Sequence, residues 1–571
     1  MQKIFFLHTL FTLCFIHLSL AQNYNIPPDY FRSPLDIPLY LSGTFGEPRT
    51  THFHTGIDIK TAGVQGKNIY AVADGYISRV NVSPYGYGNA LYITHPNGYV
   101  SVYAHLKNFK KDIENWLKEQ QIDETSFAVN LESLPPNLFP VKKGDIIAHS
   151  GNSGGSGGPH LHFEIRDSLE HPINPLYFGY DLQVKDNAKP NIYNIFFYNI
   201  DEAGNPLSNK KVTATNLGYG TYKISNTQNV NTSKLGIGVH TVDLFTGTSN
   251  KNGVFEIKMF VNDTLHYHYR VDELDFNFTK HVYSHCDYWA KRSNNNTVHK
   301  CFVEKGNKLK VYPELVNQGI INLEDNKPKN ISVEVLDFHG NKSTINFSVA
   351  KDLNTTYFIN STTDFQFDFK QSDSNAIQYN DFRLILPKDV LFTDLKFQFS
   401  REGQGKYSQI YKVHDAKVPV AGYFDISILP TNIDTTKLDK YYIAYNDYNG
   451  RKRYAGGTFR NGYLNTKSRA LGTYFIDIDE DAPVVKVANI YNNKKMTNFS
   501  TIQFTASDAT SGIAEYNLFI NGNWAVLEYD AKRNLFTYYI DDLVKQGSND
   551  LELIILDDRS NATVVNYTFT Y

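Results

Sequence analysis

The run Gly158-Pro159-His160-Leu161-His162-Phe163-Glu164-Ile165-Arg166 constrains this chain more than any other stretch. It follows a glycine- and serine-rich segment, Gly151 to Gly157, and then alternates polar with apolar residues. That pattern predicts a β-strand entered from a flexible loop. Side chains two apart in a strand share a face, about 6.6 Å between Cα atoms. His160 and His162 therefore point one way, while Leu161 and Phe163 point into a core. Two imidazoles on one face suit a metal-centred site.

A second segment, His52-Phe53-His54-Thr55-Gly56-Ile57-Asp58-Ile59-Lys60, adds an acid. A helix would bring His54 and Asp58 together, but Thr55, Gly56 and Ile57 are poor helix formers. A straight strand would hold the two Cα atoms about 13 Å apart. Zinc ligands sit only about 2.0–2.3 Å from the metal. Gly56 is the residue that lets the chain bend enough to close the gap. One Asp and two His leave a fourth position open, as in catalytic rather than structural zinc sites. On spacing alone His52 competes with His54, since it too forms a His-x-His pair.

In chain order, HTGID (54–58), VYAHL (102–106) and GPHLHFEIR (158–166) resemble the lysostaphin-type (LytM-like) zinc endopeptidases, which cut peptidoglycan peptides. The flanking GTFGEPR and GYGNALYITH fit as well, so the resemblance spans about residues 40 to 180. It implies an antiparallel β-domain of duplicated, hybrid-motif type, with one Zn²⁺ on the floor of a groove. It favours His54 over His52 and implies His54, Asp58 and His162 as zinc ligands. His105 and His160 are implied as catalytic histidines flanking the metal-bound water. All five positions are filled. One histidine takes the proton of the attacking water, and a protonated imidazole stabilises the oxyanion or protonates the leaving amine. Which one is the base stays open. The His-Glu-x-x-His helix, whose Glu serves as base in other metallopeptidases, is missing here. The family handles both pentaglycine bridges and direct D-amino-acid cross-links.

Residues 1 to 21 read as a secretory signal: one lysine, an apolar run, then Ser19-Leu20-Ala21 before the expected cleavage site. The mature chain is expected in the periplasm or outside the cell, associated with the envelope. No other apolar run reaches membrane-spanning length. A net charge of −3 implies no nucleic-acid partner.

The remaining length is too great for one core. Forty Tyr and 38 Phe, with much Asn and Thr, favour strands and turns. The expected fold is mainly β. A peptidase domain at 22–184 carries one amphipathic helix, from Asn108 to about Gln121, inside an insertion at 108–139. That insertion is either a lid over the groove or a cap on the sheet. Val141 to Ile147 resembles a lipoyl-carrier hairpin but reads as a structural turn. Three β-sandwich modules of immunoglobulin-like type follow, at 185–350, 351–480 and 481–571. They share strands running into Asp-rich turns at 333–341, 443–450 and 554–561. The module starts DNAKP (186–190) and DEDAP (479–483) resemble each other too. Their work is spacing, autoinhibition, wall attachment or the binding of an envelope protein.

Cys286 and Cys301 are the cysteines left after signal removal. A disulfide closing this loop, worth about 3 kcal/mol in the chain-entropy model, is the preferred reading. A second zinc site with His285 and His299 is the alternative. His95 and His149 read as turn or surface residues. Glu164 either orients His162 or pairs with an arginine such as Arg49, which itself positions substrate or braces the metal loop. The function expected is zinc-dependent peptide hydrolysis in the cell wall. The alternative is a non-catalytic or autoinhibited wall-binding protein, or an activator of another hydrolase.

Overall fold

Alternation at 160–166 does build a strand, and the sheet that receives it is antiparallel throughout. The computed structural model describes residues 24, 26–27, 29–225, 227–352 and 367–571. The expected secretory signal, 1–21, lies outside these residues. The chain is mainly β, as its composition predicts. Among the described residues no helix is long and apolar enough to cross a membrane.

The first unit holds strands β1 (Leu41–Gly43), β2 (Ile57–Lys60), β3 (Asn68–Tyr70), β4 (Gly75–Val82), β5 (Asn89–Thr94) and β6 (Val100–Phe109). Helix α1 (Lys111–Asp123) follows, then β7 (Val129–Leu131), β8 (Pro140–Val141), β9 (Ile146–Ser150) and β10 (His160–Arg166). The main sheet runs β1-β2-β10-β6-β5-β4-β7. Its register sets His162 opposite Asp58 of β2 on one side and Ala104 of β6 on the other. Leu161, Phe163 and Ile165 turn into a core shared with Ile57, Ile59 and Tyr103.

The helix begins later than its apolar spacing predicts. Phe109 completes β6 by pairing with Ala148 of β9, and that ladder takes the residue before the helix can. Ile113 and Leu117 face the core, and Trp116 packs edge-on against Phe139 at 5.4 Å. The helix therefore caps the sheet. Its outer side meets the last module, where Lys118 Nζ lies 2.7 Å from Asp541 Oδ2. That same module also reaches the glycine-rich loop, with Lys532 donating to the Asn152 carbonyl.

Beyond residue 190 each apolar core is built between β-sheets, at 192–349, 369–476 and 490–569. The Asp-rich segments are hairpin turns, joining 329–336 to 342–351, 441–446 to 452–454 and 548–557 to 562–570. The first and last modules repeat one junction. Asp337 Oδ1 accepts from the Asn341 amide, and Asn341 Nδ2 donates to the carbonyl of Asp186 at 3.2 Å. Asp557, Asn561 and Asp479 form the same set at 2.8 and 3.1 Å.

Packing crosses the boundary expected at 184/185. Phe45 and Phe53, from either end of the His54 loop, sit in the 192–349 core with Val271, Val282 and Cys286. The disulfide expectation is corrected: Cys286 and Cys301 are buried and unpaired. An isolated backbone bridge sets Cys286 opposite His299, two residues short of Cys301, so the thiols are out of register.

Candidate active site

Cross-strand register does the first work. With His162 directly opposite Asp58, two side chains distant in sequence meet on one face of the sheet. His54 arrives from the segment before β2. His54 Nε2, Asp58 Oδ1 and His162 Nδ1 lie 2.9–3.0 Å from one another. Gly56 allows this by closeness rather than by a bend. A Cβ there would stand 2.4 Å from the Phe163 carbonyl oxygen and 3.0 Å from His162 Cε1.

The ring protons fix which atoms face inward. His54 Nδ1 donates to the Thr44 carbonyl at 2.7 Å, and His162 Nε2 donates to Glu164 Oε1 at 2.7 Å. The remaining nitrogens, His54 Nε2 and His162 Nδ1, face Asp58 Oδ1 and one another. Such a set calls for positive charge at its centre. Burial alone would push Asp58 up, but His54, His160 and His162 outweigh it and hold the carboxyl well below its usual range. Burial would likewise discharge His162, yet its bonds to Asp58 and Glu164 lift it to about 9. A buried, charge-seeking group of two imidazoles and a carboxylate can hold a metal ion, and the donor types suit zinc.

His105 and His160 stand beside this group, at the rim of β6 and β10. Their ring centroids are 4.8 Å apart, and His105 lies 5.9 Å from His162. His105 Nδ1 donates to the Ser153 carbonyl at 2.9 Å and His160 Nδ1 to the Gly158 carbonyl at 2.8 Å. Each ring thus turns its Nε2 away from the backbone, and that of His160 lies 3.4 Å from Asp58 Oδ1. Burial, with His162 and His160 adding to it, pulls His105 down to about 3, so it is neutral. Its backbone sits in the left-handed region, φ 59°. That conformation costs a non-glycine residue about 1–2 kcal/mol. Bonds to Tyr87 and Ser153 hold it there, at a bulge where β6 leaves register with β5 and β9. Strain of this kind gathers at working sites.

All five expected residues therefore meet. His52 points out, exposed, and bonds to Thr51. His95 instead bonds to Ser101 and the Asp74 carbonyl, and is buried rather than exposed. His149 lies on β9 in register with Asn68. Glu164 orients His162 and also pairs with an arginine, but the partner is Arg166 at 2.6 Å. Arg49 braces the loop instead, donating to Asp58 Oδ2 at 3.0 Å. Sequence reasoning missed Thr55 and Tyr87, whose hydroxyls lie 2.6 and 2.7 Å from Glu164 Oε1. Arg166 was legible, since it stands two residues from Glu164 on the same strand face. Among the described residues, the hydrogen-bond and ring partners of His105 and His160 include none from 111–139.

Glu164→Ala is expected to weaken metal binding about 10–100-fold, the usual cost of losing an outer carboxylate partner. It should also destabilise the chain by about 3 kcal/mol, the low end for a broken buried pair, because Glu170 still holds Arg166. A metal titration and a thermal melt check the two parts separately.

Residues 52–123 match Peptidase family M23, and residues 367–479 match the Zu5-like domain. The first match contains His54, Asp58 and His105 and ends before β10. The DD-carboxypeptidase/endopeptidase Mpg of Neisseria meningitidis serogroup B is 35% identical over 127 residues, 22% of this chain and 23% of that protein. The murein hydrolase activator NlpD of Escherichia coli K12 is 35% identical over 123 residues, 22% of this chain and 25% of that one. Among solved structures, the catalytic domain of lysostaphin from Staphylococcus simulans aligns with 24% of this chain and 88% of its own, at 24% identity and TM-score 0.18. The chain spans about a quarter of the length of the curated relatives it matches.

Proposed function

Since this chain carries a domain of peptidase family M23, we propose that it is a secreted zinc endopeptidase that hydrolyses the peptide cross-links of peptidoglycan. One observation carries the reading: three buried donor atoms converge from distant segments, with the rings of His105 and His160 beside them. Zinc held by His54 Nε2, Asp58 Oδ1 and His162 Nδ1 would polarise the scissile carbonyl and supply a nucleophilic water at neutral pH.

The chain's own residues do the rest. His105 and His160 each have Nδ1 pinned by a backbone carbonyl, and the neutral His105 ring presents Nε2 as a proton acceptor. One takes a proton from the attacking water. Once charged, an imidazole here faces the developing oxyanion or returns its proton to the leaving amine. Pinning both rings removes the need to orient them during reaction. The strained backbone of His105 serves the same end.

A second reading is favoured by the likeness to the murein hydrolase activator NlpD: a groove that holds wall peptides while another enzyme cuts. Zinc analysis and digestion of purified cross-linked peptidoglycan by the full mature chain, with products read by mass spectrometry, separate the two. His105→Ala and His160→Ala should each lower hydrolysis about 10²–10⁴-fold while zinc stays bound. A zinc-loaded full chain that releases no peptide overturns the peptidase reading and leaves the activator.

A further inference from the structure

A second convergence of donors lies in the neighbouring module. His285 ends the helix Val282–His285, Cys286 follows it, and the bridge already described sets Cys286 opposite His299 in the strand Val298–Lys300. One donor atom from each of the three lies within 4.8 Å of the other two. His285 Nε2 and His299 Nδ1 are 2.8 Å apart, matching the 2.9 Å between the facing nitrogens of His54 and His162. The three residues are sealed from solvent, with exposures of 0%, 1% and 0%.

The surroundings are short of hydrogen bonds. His299 Nε2 has no partner among the described residues, and neither has the hydroxyl of Tyr269, whose ring stacks on His285 at 4.5 Å. A buried polar atom left without a partner costs about 1–3 kcal/mol. The 2.8 Å contact between the two rings and the 3.0 Å contact of His285 Nδ1 with the Tyr312 hydroxyl do not relieve these two atoms. Pairing of the thiols, the other use for Cys286, is opposed by the register.

We propose that His285, Cys286 and His299 hold a second transition-metal ion, zinc or one of similar softness, in a closed structural site. Two imidazoles and a thiol are zinc-type donors, whereas calcium and magnesium take oxygen. The ion sits behind the catalytic group. The His285 ring lies 5.6 Å from that of Phe53, the residue before His54, so the ion stiffens the wall against which the His54 loop leans.

The test uses the full mature chain purified under reducing conditions and loaded with zinc or, separately, cobalt. Two zinc ions per chain are expected, falling to one in Cys286→Ser, one in His299→Asn and one in Asp58→Asn. The cobalt-loaded protein should show a thiolate-to-cobalt charge-transfer band in the near ultraviolet. Asp58→Asn should keep that band and Cys286→Ser should lose it, because the catalytic group contains no sulfur. A single zinc per chain with no thiolate band in the unmutated protein overturns the proposal. So does a Cys286–Cys301 disulfide found by peptide mapping of protein exported without reductant. The band is read in the unmutated chain, so a variant that fails to fold leaves the test standing.

Discussion

Asp58→Asn is expected to empty the catalytic metal group and to abolish hydrolysis. Asp58 Oδ1 stands 3.0 Å from the inward nitrogens of both His54 and His162, and its negative charge holds the group together. An amide of the same shape removes that charge and can present N–H groups to two lone pairs. Loss of an outer partner costs about 10–100-fold in affinity, and loss of a ligand should exceed that range. Arg49→Gln is the graded control. Within the Asp58 carboxylate Arg49 contacts Oδ2, the oxygen turned away from the metal group, so its loss should stay within the outer-partner range. Competition against a chromophoric chelator gives both affinities. Asp58→Asn binding zinc as tightly as the parent would remove the basis of the proposed mechanism.

Gly56→Ala should have the second largest effect, although it adds one methyl group. The new Cβ would press on the Phe163 carbonyl oxygen and on Glu164 Cγ, 2.4 and 2.8 Å away. One contact is backbone of β10, so no side chain can swing clear. Overpacking of this kind costs about 1–3 kcal/mol. A shift of β10 also displaces His162, so the melting temperature and zinc affinity should fall together. Gly157→Ala is the comparison, since a Cβ there meets nothing within 4 Å. Equal melting temperatures for the two variants would show that β2 and β10 have room to separate.

How much of this could be read from residues alone depends on range. The β10 strand was legible because its alternation is local, and its apolar positions are all buried as that alternation requires. Partners were legible only in kind. Asp58 could be matched with His162 as a ligand type, but their register across β2 and β10 is set by the whole sheet. Gly56 was singled out for a bend, while its actual constraint is a strand that in sequence lies more than a hundred residues away. The left-handed backbone of His105 has no decisive local signal, since even the histidines that favour this region adopt it only at a minority of positions. The cysteines were misjudged because loop-closure entropy counts residues between thiols and ignores the backbone pairing that decides whether they can touch.

The two phenylalanines that flank the His54 loop determine what can be cut from this protein. Phe45 and Phe53 are sunk in the next module, and Thr44, whose carbonyl holds the His54 ring, also bonds through its hydroxyl to the Gly253 backbone. Severing the chain near residue 184 would bare both aromatic rings, each about 1.5–3 kcal/mol of apolar burial forfeited. It would also leave the catalytic loop without its back wall. The metal group and its scaffold share packing across this boundary, so the neighbouring module supports the His54 loop as much as the strands that carry the other histidines do.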